Sequence, residues 1–521
     1  MSSNPDPSHI KVLNGNKLKI DPNGFSDVYP SQDTINLQWV FNNYPRADLS
    51  LSKGTFHISE TLEGPNFQGV IRGKGTNKTY LIGRGPLQGN DYVFPLLSQC
   101  TLNANLKERL YPTDVPSLIW FHAISDGNVN HWKENGTEVI LRDFTIGLDG
   151  VGPLISYYDQ PFRSIWFDII TTGYIGNLPS NTPNNDEVSH TRITAKNVNF
   201  VSKKTPYELN GVTYNNANTA AAMISYGGEY WSLLGGLNGY YDDQHSPINQ
   251  QVLIEECKFT GFHQFGTGFE GSFTAPPSPP QTITYQFPTD PVFERSSITL
   301  RNNTYDSIGD GAGLVGSLGQ NVIVLANMGT DFTITGNQFL NIQNVGVAFA
   351  SGVAETLPTA TTIININDNV FEQAHTSVES SSVIELDANF YLQQPYILNV
   401  EDNKFIGDNG YNGNFVELAI GTSATVTGNK FKGYYQHAIT AGNYEQGITL
   451  PYYGATITNN KFESNGVNVV LGEGSNSCYV EVPKASDIEN AGTNNTIVIE
   501  DGLTCNNYTG PKYKSKYLKH D

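Results

Sequence analysis

Three carboxylates alternate with aliphatic residues in two short segments: Glu385 and Asp387 in Val383-Ile384-Glu385-Leu386-Asp387, and Glu417 in Val416-Glu417-Leu418. In a β-strand this alternation sends Ile384, Leu386 and Leu418 to one face and the carboxylates to the other. Glu385 and Asp387 then stand about 6.6 Å apart at Cα, two strand rises. Carboxylates crowded on one face disfavour simultaneous ionisation, so one keeps a proton as acid while another serves as base. The spacing overlaps the separation that inverting glycosidases use to admit a water molecule. Acid–base chemistry of this kind requires no cofactor. The same oxygens would also suit a hard cation such as Ca2+. In a chain of net charge −20, a solvated acidic face is the plain alternative.

A repeat supplies the elements that position these side chains. Phe332-Thr333-Ile334-Thr335-Gly336-Asn337-Gln338-Phe339 returns as Ile366-Asn367-Asp368-Asn369-Val370-Phe371 and as Val400-Glu401-Asp402-Asn403-Lys404-Phe405. It returns again as Val426-Thr427-Gly428-Asn429-Lys430-Phe431 and Ile457-Thr458-Asn459-Asn460-Lys461-Phe462. Asn303, Asn337, Asn369, Asn403, Asn429 and Asn460 recur at unequal intervals, which means constant strands and variable turns. Stacked coils set these amides about 4.8 Å apart, within hydrogen-bonding reach along the stack, so they read as scaffold and not as ligands.

A second strand follows each motif. Val347, Ile384, Leu418, Ile439 and Val470 align as one inward column, with Glu417 outward beside Leu418 and Ile420. In two coils the intervening connection is longer and carries His375 with Glu379, or Asp408 with Tyr411. Loops at the rim of a flat sheet wall a groove, so His375 and Tyr411 are candidate substrate contacts. The aromatic segment 204–250 adds Tyr230, Trp231, Tyr240 and Tyr241, whose flat faces can stack on sugar rings or pack the segment onto the solenoid.

The totals narrow the class. The chain has 521 residues, only 15% of them charged, with 51 Gly, 28 Tyr and 26 Phe. Few charges and many turn and strand formers favour an all-β architecture that grows by adding coils. Against 50 Asp+Glu there are 30 Lys+Arg, which argues against nucleic acid and against an anionic membrane surface. A polyanionic glycan would need a local basic patch or a bridging cation, and a neutral one needs neither. No apolar run reaches membrane-spanning length. The N-terminus, Met-Ser-Ser-Asn-Pro, reads without a signal peptide. Of four cysteines, Cys478 and Cys505 either pair with each other or, like Cys100 and Cys257, stay reduced.

In chain order, residues 1–30 form an arm with a strand at Lys17–Ile20. A helix follows over 31–44, with Ser31 as N-cap, Asp33 in its first turn and Ile35, Trp39 and Val40 on one face. Then come Gly54-Thr55-Phe56-His57-Ile58, Val70-Ile71-Arg72-Gly73-Lys74-Gly75 and Tyr80-Leu81-Ile82-Gly83. A helix followed by these strands, over 31–83, resembles the N-terminal entry of the pectin-lyase-like right-handed parallel β-helix superfamily. The resemblance implies a single-stranded right-handed parallel β-helix spanning 31–501, with the helix capping its open end. Segments 204–250 and 268–297 read as long loop excursions, 472–501 as a C-terminal cap and 502–521 as a tail.

That superfamily contains lyases, hydrolases, epimerases, tailspikes and binding proteins. The Asn-Thr-Asp, Asp-Asp and Gly-His-Gly set of polygalacturonase-type hydrolases is missing, and no motif singles out a lyase base among Arg142, Arg163, Arg192, Arg295 and Arg301. The expected function is therefore a carbohydrate-active protein, extracellular or on a cell or virion surface. It would hold an extended polysaccharide along one face and cleave or rearrange it through Glu385, Asp387 and Glu417, as a glycosidase or lyase. The alternatives are a non-enzymatic glycan-binding or fibre solenoid, and a tailspike-like homotrimer.

Overall fold

The computed structural model describes residues 4–88, 91, 92, 94, 117–123, 136–150, 168–174, 189–202, 207–209, 212–214, 221–229, 248–262, 265–271, 296–308, 321–326, 331–342, 345–350, 362–373, 382–387, 396–408, 413–418, 422–433, 435–442, 454–463, 466–500 and 503–506, and the structural statements below concern these. They wind into a right-handed parallel β-helix with three rows of strands. One regular coil shows the scheme. Tyr396–Glu401 lies in the first row, Lys404–Gly407 in the second and Asn414–Leu418 in the third, before Thr422–Thr427 begins the next coil. The third row is a 12-stranded sheet running from Leu62–Pro65 to Ile488–Asn490. The first two rows belong to a 25-stranded sheet joined at the N-terminal end by the hairpin of Ile10–Asn14 with Lys17–Ile20.

The corner between the first and second rows explains the sequence repeat. The residue before each ladder position has positive φ: Asp143 (63°), Asn197 (52°), Glu256 (56°), Asn302 (56°), Gly336 (67°), Asp368 (57°), Asp402 (55°), Gly428 (69°) and Asn459 (56°). Gly, Asn and Asp tolerate this left-handed conformation, which accounts for the small polar residue preceding the repeat Asn. The next residue turns inward. The Oδ1 atoms of Asn303, Asn337, Asn369, Asn403, Asn429 and Asn460 accept the backbone N–H of the ladder residue one coil earlier, at 2.8 to 2.9 Å. Their Nδ2 atoms donate to the carbonyls of Ile254, Leu300, Ile334, Ile366, Val400 and Val426. Cys257 takes the Asn position one coil earlier; burial pushes its thiol up to about 12, as expected for an inert structural cysteine.

Two residues further on, rings stack in register. Phe200, Phe259, Tyr305, Phe339, Phe371, Phe405, Phe431 and Phe462 form one column with centroids 4.4 to 5.5 Å apart. Tyr305 is the single hydroxylated member, and Gly266 makes room for it: a Cβ there would meet the Tyr305 ring at 2.7 Å.

The helix Gln32–Asn43 closes the N-terminal end, and the Ser31 side chain accepts the Thr34 N–H. Its buried apolar face is Leu37, Val40 and Phe41; Ile35 and Trp39, expected there, are only half-buried. Phe41 meets Phe67 and Phe121 at ring distances of 5.0 and 5.8 Å. Several strands occur where none was expected. Ser117–Ala123, Asp168–Tyr174 and Ala221–Glu229 are third-row strands, the last of them inside the segment read as an excursion. Phe265–Gly271 overlaps the start of the second such segment. Coils continue through Tyr479–Val482 and Thr496–Ile499, and Leu503–Asn506 then folds back antiparallel on the last strand. Cys478 is a buried free thiol, so the pairing with Cys505 considered above is not made.

Candidate carboxylate site

Glu385 and Glu417 occupy adjacent third-row strands, Ser382–Asp387 and Asn414–Leu418. They are direct partners across the parallel ladder. Each is half-buried, while Ile384, Val416 and Leu418 are buried, so alternation separates carboxylate from core as expected. The inward column differs in detail. Ile384 pairs with Val416 and not Leu418, and Ile439 pairs with Val469 and not Val470. The first slip is two residues and leaves Glu417 on its face. The second is one residue and turns Val470 outward, with Val469 buried in its place.

The corrected register makes Glu385 and Glu417 lateral neighbours, about 4.8 Å apart at Cα. They are bracketed by uncharged residues, Ala348 opposite Glu385 and Thr440 opposite Glu417. Ser382, buried at the start of its strand, donates its hydroxyl to Glu417 Oε2 at 2.6 Å. A hydrogen bond to the charged form favours that form, so the Ser382 hydroxyl stabilises the negative charge on Glu417. Thr440 is 1% exposed and its Oγ1 has no hydrogen-bond partner. Neither Ser382 nor Thr440 was singled out from the sequence. Nothing about Ser382 marks it beforehand, since its contact with Glu417 spans two coils.

Asp387 lies two residues beyond Glu385 in the same strand, opposite Ala350, and its side chain is outside the described residues. Tyr230, Trp231, Tyr240, Tyr241, His375 and Tyr411 also lie outside them. Among the described residues, no three His, Cys, Asp or Glu side chains gather closely enough to hold a metal ion.

A second constellation in the N-terminal cap has the residue types of a nucleophilic triad but not its geometry. Ser31 donates to the backbone carbonyl of His57, and Asp33 accepts the His57 backbone N–H at 2.9 Å. The imidazole is committed elsewhere: Nδ1 accepts the Ser26 N–H at 3.3 Å and Nε2 donates to the Arg84 carbonyl at 2.7 Å. Serine, histidine and aspartate here tie the helix to the first coils and activate nothing.

No protein-family model and no curated protein matches the chain. The solved structures that match include the following three. The Dettilon tailspike protein (gp208) matches with TM-score 0.44 and 11% identity, over 92% of this chain and 68% of that one. The catalytic unit of a thermostable GH87 alpha-1,3-glucanase from Streptomyces thermodiastaticus matches with TM-score 0.40 and 12% identity, over 91% and 66%. The A-module of the Azotobacter vinelandii mannuronan C-5 epimerase AlgE6 matches with TM-score 0.25 and 11% identity, over 92% and 93%. Similarity at this level carries no argument about the site, which rests on the geometry above.

Proposed function

We propose that this protein is a polysaccharide-processing β-helix enzyme whose acid–base pair is Glu385 and Glu417. The observation that carries the reading is their direct pairing on adjacent coils, with a buried hydroxyl on one of them. A Cα separation of about 4.8 Å points toward the short carboxyl spacing of retaining glycosidases, near 5–5.5 Å, more than toward the wider inverting one. Asp387, whose side chain lies outside the described residues, stays the alternative partner of Glu385 with the wider, inverting spacing.

The roles are assigned from one contact. Ser382 donates to Glu417, which suits Glu417 to the nucleophile's role and leaves Glu385, its ladder partner, the role of acid. In the first step a Glu417 oxygen bonds to the anomeric carbon while the glycosidic C–O bond breaks, and Glu385 gives its proton to the departing oxygen. In the second, Glu385 takes a proton from water. That water oxygen bonds to the same carbon, and Glu417 is released as carboxylate. An extended glycan lying across the third row would present successive sugars to successive coils. The aromatic candidates of segment 204–250, with His375 and Tyr411, are its proposed contacts.

A screen for new reducing ends and for unsaturated products over neutral and acidic polysaccharides tests the activity and divides hydrolysis from elimination. On a hydrolysed substrate, Glu385→Gln and Glu417→Gln should each lower turnover at least about 100-fold with little change in melting temperature. Full turnover in both variants would remove this pair from the mechanism. Ser382→Ala should lower turnover, because Glu417 loses the hydroxyl that donates to its carboxylate.

A further inference from the structure

The second row carries an unexpected column. Lys404, Lys430 and Lys461 are direct ladder partners on three consecutive coils, about 4.8 Å apart at Cα. Lys432 stands two residues beyond Lys430 on the same face. Lys404, Lys432 and Lys461 are exposed and Lys430 is half-buried. Like charges in lateral register repel and destabilise a sheet. Among the described residues one ion pair offsets it: Glu463, opposite Lys432, pairs with Lys430 at 2.6 Å. Among the described residues no carboxylate pairs with Lys404, Lys432 or Lys461. Carboxylates among the described residues here include Asp402 and Asp408, at the two ends of the Lys404 strand, and Asp368 and Glu372 on the preceding coil. Glu463 reports the local field. Its carboxyl is held below the usual range by Lys430 first, with Lys432 and Lys404 adding to the effect. Lys404, Lys432 and Lys461 thus stand exposed without an ion-pair partner among the described residues, in a chain that carries −20 overall.

We infer that Lys404, Lys430, Lys432 and Lys461 form a docking track for an anionic glycan strand lying along the solenoid axis, separate from the carboxylate pair. Charge complementarity selects the sign of the ligand, and the one-coil spacing selects its form. An extended acidic polysaccharide advances by a comparable distance per sugar, so one carboxylate or sulfate can meet each coil. Duplex nucleic acid carries a phosphate about every 3.4 Å on each strand, denser than this column and repelled by the rest of the chain. Screening at physiological ionic strength, over about 8 Å, damps repulsion from the distant acidic surface. The track lies on the second row and the carboxylate pair on the third, so the two can stand or fall separately.

The test is a binding titration at low ionic strength with a β-1,4-glucuronan hexasaccharide, with uncharged cellohexaose and a single-stranded hexanucleotide as comparators. Turnover does not enter the measurement, so failure of the proposed catalysis leaves it intact. The charged hexasaccharide should bind the unaltered chain best. The fourfold variant Lys404→Gln, Lys430→Gln, Lys432→Gln, Lys461→Gln should bind it at least about tenfold more weakly. Glu463→Gln should tighten binding, because it removes the competing carboxylate. The fourfold variant should melt no lower than the parent, since it relieves repulsion on the surface. No binding by the unaltered chain, equal binding of cellohexaose, tighter binding of the hexanucleotide or unchanged affinity in the fourfold variant would each overturn the inference.

Discussion

The Asn369 amide makes four contacts in the buried corner: Oδ1 accepts from the Asn337 N–H and from Asn337 Nδ2, and Nδ2 donates to the Ile334 carbonyl and to Asn403 Oδ1. Asn369→Ala leaves the Asn337 N–H and the Ile334 carbonyl unsatisfied, so it should cost about 3 kcal/mol by chemical denaturation. A loss under 1 kcal/mol would mean that water enters the corner. His57 and His437 set a pH dependence. Burial holds both imidazoles below their ordinary value of 6.5. Between the lowered value and 6.5, the unfolded chain takes up protons that the folded chain refuses. Their contribution is complete above about pH 6.5 and declines as pH falls through that window. Melting temperature should fall between pH 7 and 5, and replacing both histidines by Asn should flatten that slope. The side taken by Glu385 and Glu417, the ladder amides and the recurring ring of the repeat were legible in the sequence, because residue type and period two fix which side of a strand they take. Ser382 was not, since its partner is reached only across the coil stack.

At the level of elements, the aromatic column and the capping helix hold the coils together by burial. Phe371 stacks on Phe339 at 4.4 Å and on Phe405 at 5.0 Å. Phe371→Ala would open a cavity between two coils and should cost about 3–5 kcal/mol, with Phe371→Leu costing clearly less. Equal losses for the two would show that ring stacking, and not volume, holds the column. The helix was read correctly from Ser31 and Asp33, but its buried face was misplaced. Leu37, Val40 and Phe41 face the coil end, and the half-buried Trp39 packs against Tyr44. An amphipathic pattern this weak leaves the choice of face to whatever the helix docks against. Strands such as Ser117–Ala123 and Ala221–Glu229 were missed because they carry no repeat motif: the motif belongs to the corner between the first two rows, and the third row has none.

For the whole molecule, the chain carries a net charge of −20, and its self-repulsion opposes the compact state. Raising salt from about 0.01 M to 0.15 M shortens the screening length from roughly 30 Å to 8 Å. Melting temperature should therefore rise over that range. A fall would show that ion pairs such as Lys196 with Glu255 and Lys430 with Glu463, at 2.9 and 2.6 Å, outweigh the repulsion.

The sequence by itself determined the coil: a left-handed corner residue, an inward Asn and a stacked ring, repeated in a chain poor in charge. Local sterics and strand periodicity act within one motif, so one motif suffices to reveal them. The pairing of Glu385 with Glu417 was decided only by the tertiary structure. Lateral neighbours in a parallel stack are set by the lengths of the connections between rows, and coil intervals of 34, 32, 34, 26 and 31 residues between ladder positions leave that register open. A slip of two residues kept Glu417 on the right face but hid its partner, and a slip of one turned Val470 outward. The lysine column was in plain view as a residue following each of three repeat Asn residues. It became a surface only when the coils were stacked in register.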